Sequence, residues 1–261
     1  MELPASRPDL VITDRYWASK AKLAHRLKEI EAPGACRHTI YLKPESVGKA
    51  GVDILLRREL DAATAALVGE VVRQVEESET GLVVFAMADT TIAVIPPFPV
   101  EEDAVFAGSE TADLVEILEQ ELTIGVVLLR LGKFAVGVFE GGEMVASKSD
   151  SRYVKNRHRA GGSSQRRYER SRDRLVRELY DEAGEVTQRI FAPYEGRMDY
   201  ILMGGEKHTL REFVERCEYV RRHQTKRLSR QLEVERPGHK ALENIPYEIW
   251  KSRVLVFKAG V

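Results

Sequence analysis

The stretch Arg157-His158-Arg159-Ala160-Gly161-Gly162-Ser163-Ser164-Gln165-Arg166-Arg167 decides the reading of this chain. Two adjacent glycines leave the backbone free to adopt positive φ and to approach a ligand closely. Ser163 or Ser164 is suited to cap a following helix, and the free N–H groups at such a helix start favour anions. Downstream, Tyr168, Leu175, Leu179, Ala183, Val186 and Ile190 recur at +7, +4, +4, +3 and +4. That spacing predicts a long helix from Gln165 with one face buried. Upstream, Thr123–Arg130, Lys133–Glu140 and Glu143–Ser149 are Val- and Leu-rich runs separated by Gly132 and by Gly141-Gly142. Short strands joined by Gly turns read as an antiparallel meander. The decisive stretch therefore links a strand to a basic helix.

Charge sharpens that reading. The 261 residues carry a formal net charge of only −1, yet the charge is segregated. Arg152 to Arg177 holds ten bases, nine of them Arg, against Glu169 and Asp173. Glu101 to Glu121 holds eight acids and no base. Dense blocks of like charge repel and often serve an external partner. The planar Arg fork binds phosphate oxygens bidentately. A polyanion, RNA or DNA, fits the basic block; a solvated helix face is the plainer alternative. The acidic run reads as a solvated linker and helix face.

The remaining chain places this segment in the second of two modules. A first helix is expected from an Asp14 cap through Tyr16, Leu23, Leu27 and Ile30, closed by Ala32-Pro33-Gly34. His38–Leu42 alternates like a strand, and Leu56, Leu60, Ala63, Leu67, Val71 and Val75 predict one amphipathic helix. Gly81–Met87 and Thr91–Ile95 read as a hairpin, and Ala112–Gln120 as a short helix. After the long helix, Asp199–Met203 is a strand entering Gly204-Gly205. Thr209–Val220 is a helix, and Arg253–Lys258 a last strand. The expected fold class is α/β (α+β): an N-terminal α/β module over 1–121, then a mixed sheet with covering helices over 122–261.

Composition removes several functions. At 43% hydrophobic the chain is not disordered. Cys36 and Cys217 lie far apart and match no zinc spacing, and the six histidines are scattered, so no metal is expected. No Gly-x-x-x-x-Gly-Lys-Ser/Thr motif is present, so no nucleotide or other cofactor is expected. The acid- and proline-bearing start lacks the apolar run of a signal peptide. The longest apolar stretches are strand-sized, short of the ~20 residues a membrane span needs. A cytoplasmic protein away from membranes is expected.

The segment Arg157–Arg177, followed by Leu179-Tyr180 and Tyr200-Ile201-Leu202-Met203-Gly204-Gly205, resembles the middle domain of archaeal and eukaryotic class I peptide-chain release factors. That domain has a meander, a basic loop carrying Gly-Gly-Gln, an Arg-rich helix and a strand ending in a Gly pair; its topology is ribonuclease H-like. The resemblance spans about Leu122 to Val220. Arg159-Ala160-Gly161-Gly162 matches the pattern directly, whereas Ser163-Ser164 intervene before Gln165. A longer loop with a retained Gln is similar to the Vms-like release factors, peptidyl-tRNA hydrolases of ribosome quality control, and the N-terminal half, with Pro96–Pro99, to their short prokaryotic members.

The resemblance implies hydrolysis of the ester joining a nascent peptide to tRNA, at the peptidyl-transferase centre of the large ribosomal subunit. Gln165 would orient water, its amide being neutral and able both to donate and to accept. Gly161 and Gly162 would let the tip enter a narrow RNA cavity, with Ser163 and Ser164 altering its geometry. Arg157, His158, Arg159, Arg166, Arg167 and Arg170 would contact rRNA or tRNA phosphates. Nothing resembles a stop-codon-reading domain or a domain for a GTPase partner, so release would be codon-independent. A monomer is expected. Two alternatives remain open at this level. One is a non-catalytic RNA-binding rescue factor. The other is a metal-dependent nuclease using Glu140, Asp150 and Asp199.

Overall fold

A computed structural model of the protein describes residues 9–48, 51–75, 77–154 and 163–260. Its first elements are β1 (Leu10–Ala18), α1 (Lys20–Ile30), β2 (Cys36–Leu42), α2 (Gly51–Glu59), α3 (Ala62–Gln74), β3 (Leu82–Met87), β4 (Thr91–Ile95), β5 (Ala104–Ala107) and α4 (Ala112–Glu119). There follow β6 (Thr123–Arg130), β7 (Lys133–Glu140), β8 (Glu143–Ser151), α5 (Ser163–Phe191), β9 (Tyr200–Gly205), α6 (Lys207–Arg216), α7 (Glu218–Arg222), β10 (Arg227–Leu232), α8 (His239–Ile249) and β11 (Ser252–Ala259). The chain packs as two units. One runs through Gln120 and is rejoined from Trp250 onward; the other spans Glu121–Ile249.

The first unit is a six-stranded sheet in the order β1-β11-β4-β3-β2-β5, antiparallel at every pairing. Successive side chains of a strand point to opposite faces, and here both faces are covered. Ile40, Leu42, Leu82, Val84, Ala93, Leu255 and Phe257 pack with Val52, Leu56, Val68, Val71 and Val72 of α2 and α3. Their neighbours Tyr41, Val83, Phe85, Ile92, Val94 and Val254 are equally buried. Tyr41 anchors α4: its hydroxyl donates to the Glu110 carbonyl at 2.9 Å and accepts from the Leu114 amide at 3.3 Å.

Two expectations for this unit need correction. The stretch from Asp14 is strand, and the first helix is capped by Ser19, whose hydroxyl accepts from the Lys22 amide at 3.3 Å. A bulge hides that strand: Ile12 faces Phe257 while Asp14 faces Val256, so Thr13 is an extra residue that breaks the alternation. The amphipathic run from Leu56 to Val75 is two helices. Asp61 interrupts it by capping α3, accepting from the Ala63 and Thr64 amides at 3.0 Å each. Ala63 is consequently exposed, and Ala65, Val68, Val71 and Val72 form the buried face.

The second unit is a mixed five-stranded sheet, β10-β9-β6-β7-β8, parallel across β10/β9/β6 and antiparallel across β6/β7/β8. Counted within the unit, the strands read 3-2-1-4-5 from β8 to β10. That is the ribonuclease H-like topology expected from the resemblance. One face carries α5, α6 and α7, with Val127, Leu129, Phe134, Val136 and Val138 meeting Leu179, Ala183, Val186, Phe213 and Val220. On β7, Gly137 lies beside α8: a Cβ there would meet Leu242 at 3.3 Å. Gly125, mid-strand in β6, makes room for the end of α5. A Cβ there would fall 2.8 Å from the Phe191 ring and 3.0 Å from the Met198 sulfur.

The module expected over 122–261 thus ends at Ile249. Strand β11, foreseen at Arg253–Lys258, joins the other sheet between β1 and β4. There β1 and β4 pair both of its edges, and Val254, Leu255 and Phe257 are all buried. Cys36 and Cys217 are free and buried, and burial pushes both thiols up from their usual range. A thiol reagent such as DTNB is therefore expected to label neither cysteine in the native protein and both in denaturant. Rapid native labelling of either would contradict this packing.

Candidate active site

Helix α5 dominates the site. Its stripe Val176-Leu179-Ala183-Val186 is buried, whereas no residue from 165 to 175 is. At about 1.5 Å per residue, Gln165 sits roughly 16 Å along the axis from Val176, the first buried anchor. Gln165 also extends the line of that stripe through Tyr168, Glu169 and Arg172, at helical spacing. The packed half of the helix therefore anchors its exposed half, with Gln165 near the tip.

The helix begins at Ser163, so Ser163 and Ser164 are its opening residues rather than a loop before it. Gln165 lies in this first turn, and its backbone N–H belongs to the group without an i−4 carbonyl. Its side-chain Nε2 donates to Glu169 Oε1 at 2.9 Å. Arg157, His158, Arg159, Gly161 and Gly162 lie outside the described residues.

The basic block divides into two populations. Arg152, just beyond β8, donates to Glu182 at 2.7 Å and lies 3.8 Å from Glu178, while its amide donates to the Gly132 carbonyl at 2.9 Å. Arg174 also faces Glu178, at 3.8 Å. Arg152 thus fastens the end of β8 to α5, whereas the Arg174 pair lies within α5 itself. Arg166, Arg167 and Arg170 are exposed and enter no ion pair among the described residues. Sequence reasoning counted all of these bases alike and missed both the Arg152 clamp and the Gln165–Glu169 pair. The i,i+4 spacing of an acid inside a basic run was the available signal for the second.

Alongside α5, a hollow of about 770 Å³ is lined by Arg172, Arg177, Tyr180, Glu206, His208 and Glu212 among others. Burial, with the hydrogen bond to Glu212, raises the Tyr180 phenol above its usual range; the hydroxyl donates to that carboxylate at 3.0 Å. The acids considered for a nuclease do not converge. Glu140 pairs with Arg197 at 3.0 Å, Asp199 accepts from the Thr123 amide at 2.7 Å, and Asp150 accepts from the Ser151 amide at 2.8 Å. Among the described residues no group of three His, Cys, Asp or Glu side chains could hold a metal.

The sequence itself matches the model of the Actinobacteria/chloroflexi VLRF1 release factors over residues 122–255, just over half the chain. The chain belongs to this family. The VLRF1 match covers most of the second unit, including α5 and all the candidate residues. Among curated proteins, peptide chain release factor subunit 1 of Aeropyrum pernix is 25% identical over 237 residues, covering 78% of this chain and 62% of that protein. The corresponding protein of Archaeoglobus fulgidus is 32% identical over 102 residues, 39% of this chain and 25% of that one. This VLRF1-family chain thus spans about three fifths of the length of the Aeropyrum relative. Among solved structures, the archaeal translation termination factor aRF1 aligns with a TM-score of 0.38 at 20% identity, covering 86% of this chain and 68% of that one. No helix among the described residues is long and apolar enough to cross a membrane.

Proposed function

We propose that this protein is a codon-independent peptidyl-tRNA hydrolase that frees nascent chains from stalled ribosomes or large subunits in the cytoplasm, acting as a monomer. The observation that carries the reading is Gln165, held near the tip of an Arg-lined helix directly after Gly161-Gly162-Ser163-Ser164. The reaction adds water to the ester carbonyl of peptidyl-tRNA. The new C–O bond forms at the carbonyl carbon, the bond to the tRNA ribose oxygen breaks, and that oxygen takes a proton. The protein need only align water on a carbonyl already fixed by RNA, and positioning of this kind lowers barriers by up to roughly 7–11 kcal/mol. The Gln165 carboxamide orients the water, and its first-turn N–H is suited to stabilise developing oxyanion charge. Membership in a release-factor family supports the reaction class. The exposed Arg166, Arg167 and Arg170 support a phosphate-lined destination, and Arg157, His158 and Arg159 add to the basic character of the sequence just before them.

The test is release of labelled peptide from purified large subunits carrying peptidyl-tRNA, with no stop codon present. Binding without release would leave a non-catalytic rescue factor. The cations give a separate expected result. Replacing Arg166, Arg167 and Arg170 together by Ala is expected to weaken subunit binding. It should also flatten the plot of log affinity against log salt by about 2, at roughly 0.7 for each phosphate no longer neutralised. An unchanged salt slope would remove these side chains from the RNA interface.

A further inference from the structure

We propose that Glu169 is a positioning residue that fixes which end of the Gln165 amide is presented to the attacking water. The inference rests on the hydrolase reading above and deepens it. A glutamine amide has two chemically opposite ends, one a pair of donors and the other an acceptor. Rotation by half a turn exchanges them with little change of shape, so a glutamine that must orient water needs something to select the end. Glu169 lies one helical turn from Gln165, on the same face, and accepts a hydrogen bond from Gln165 Nε2 at 2.9 Å. An ionised carboxylate accepts only, so the pair has a single satisfied arrangement: NH2 toward Glu169, Oε1 free. The free Oε1 can accept a proton-bearing edge of water and point the lone pair of that water at the ester carbonyl. The charge pattern is consistent with a specific duty. Glu169 is one of only two acids between Arg152 and Arg177, and it reduces the attraction of the helix for RNA. Glu178 shows the other use of an acid on this helix: it pairs with Arg152 and Arg174 within the fold, whereas the partner of Glu169 is Gln165.

The experiment is single-turnover peptide release from peptidyl-tRNA-bearing large subunits by the full-length protein, over a range of protein concentrations. The wild type, Glu169→Ala, Glu169→Gln, Glu169→Lys and Gln165→Ala are compared. With the amide free to rotate, Glu169→Ala is expected to lower the maximal rate by about tenfold, in keeping with the sensitivity of catalysis to small misplacements. Its half-saturating concentration should stay equal or fall, since an acid has left a basic surface. Glu169→Gln can still accept through its own carbonyl and should recover to within about threefold of wild type. Glu169→Lys places a donor there instead, turns the amide round, and should be the slowest of the three. Adding Glu169→Ala to Gln165→Ala should cost nothing further. If Glu169→Ala matches the wild-type maximal rate while Gln165→Ala is inactive, the positioning role is overturned and the hydrolase stands. If the wild type binds but releases nothing, the hydrolase reading falls and this inference with it. Equal loss in Glu169→Ala and Glu169→Gln, with weakened binding, would also overturn it.

Discussion

Gln165→Ala is expected to cut nascent-peptide release by about 10²–10³-fold while leaving occupancy of the large subunit unchanged. The magnitude is that of removing one preorganised polar group aimed at developing charge. The substitution is a clean one for this position. Alanine is the best helix former, so the first turn of α5 is retained, and the backbone N–H at 165 stays where it was. Only the carboxamide is lost. Arg166, Arg167 and Arg170 remain exposed beside it, so the groups expected to carry affinity are intact. Release should be followed with labelled peptide and occupancy by co-sedimentation of the same samples. Wild-type release by the mutant at matched occupancy would place the water-orienting group elsewhere. Parallel loss of release and binding would make Gln165 a docking residue.

The largest stability effect is expected at Gly205. This residue ends β9 with φ +136°, and a Cβ there would overlap the Leu129 carbonyl oxygen of the neighbouring strand. Gly204 beside it is also hemmed in, with Leu128 at 2.8 Å and the Leu232 carbonyl oxygen at 2.9 Å from a Cβ. Gly205→Ala combines backbone strain of about 1–3 kcal/mol with overpacking of roughly 1–3 kcal/mol more. A total of roughly 3–5 kcal/mol is a large part of the 5–15 kcal/mol that holds a typical domain. For a unit of this size it corresponds to a fall in Tm of roughly 10–20 °C. Gly238→Ala is the control, since a Cβ there meets nothing within 4 Å and φ is not positive. Calorimetry should show the first change and little of the second. Equal Tm values for the two variants would mean that the close approach of β9 to β6 is not rigid. The Gly pair that helped to mark the family in the sequence thus has a packing cause.

Local patterns carried most of the second unit. Thr123–Arg130 and Lys133–Glu140 were legible as strands to the residue, because Gly132 closes a tight turn between two apolar runs. The long helix was legible because Leu179, Ala183 and Val186 keep one face inward over several turns. What escaped was either irregular or distant. Thr13 shifts the phase of β1, and Asp61 caps a helix in the middle of an apolar periodicity. Strand β5, Ala104-Val105-Phe106-Ala107 between acids, is apolar throughout but at four residues too short to show a period. Strand β10 escaped because Arg227, Arg230 and Gln231 leave it only Leu228 and Leu232 as apolar positions. The partners of β11 lie far back in the chain, beyond the reach of any local pattern. At the site, the resemblance to the release-factor middle domain singled out Gln165 as a candidate, and the density of charge singled out the arginines around it. The division of labour among those arginines depended on Glu178 and Glu182, which only the folded helix brings to Arg152.

The return of β11 to the first sheet has a consequence for how this chain is made. The second unit is one unbroken stretch and can fold as soon as it is synthesised. The first unit cannot: among the described residues β1 and β4 are joined only through β11, which is synthesised after the whole second unit. From completion of Gln120 to arrival of Trp250, roughly 7–26 s pass at 5–20 residues per second. Throughout that interval β1 has no partner strand and β4 has an open edge, the state in which strands recruit strangers. Vectorial synthesis thus finishes the Arg-lined helix first and the opening unit last. A chain truncated before Trp250 would retain the apparatus assigned to release while exposing two unpaired strands to aggregation and proteolysis.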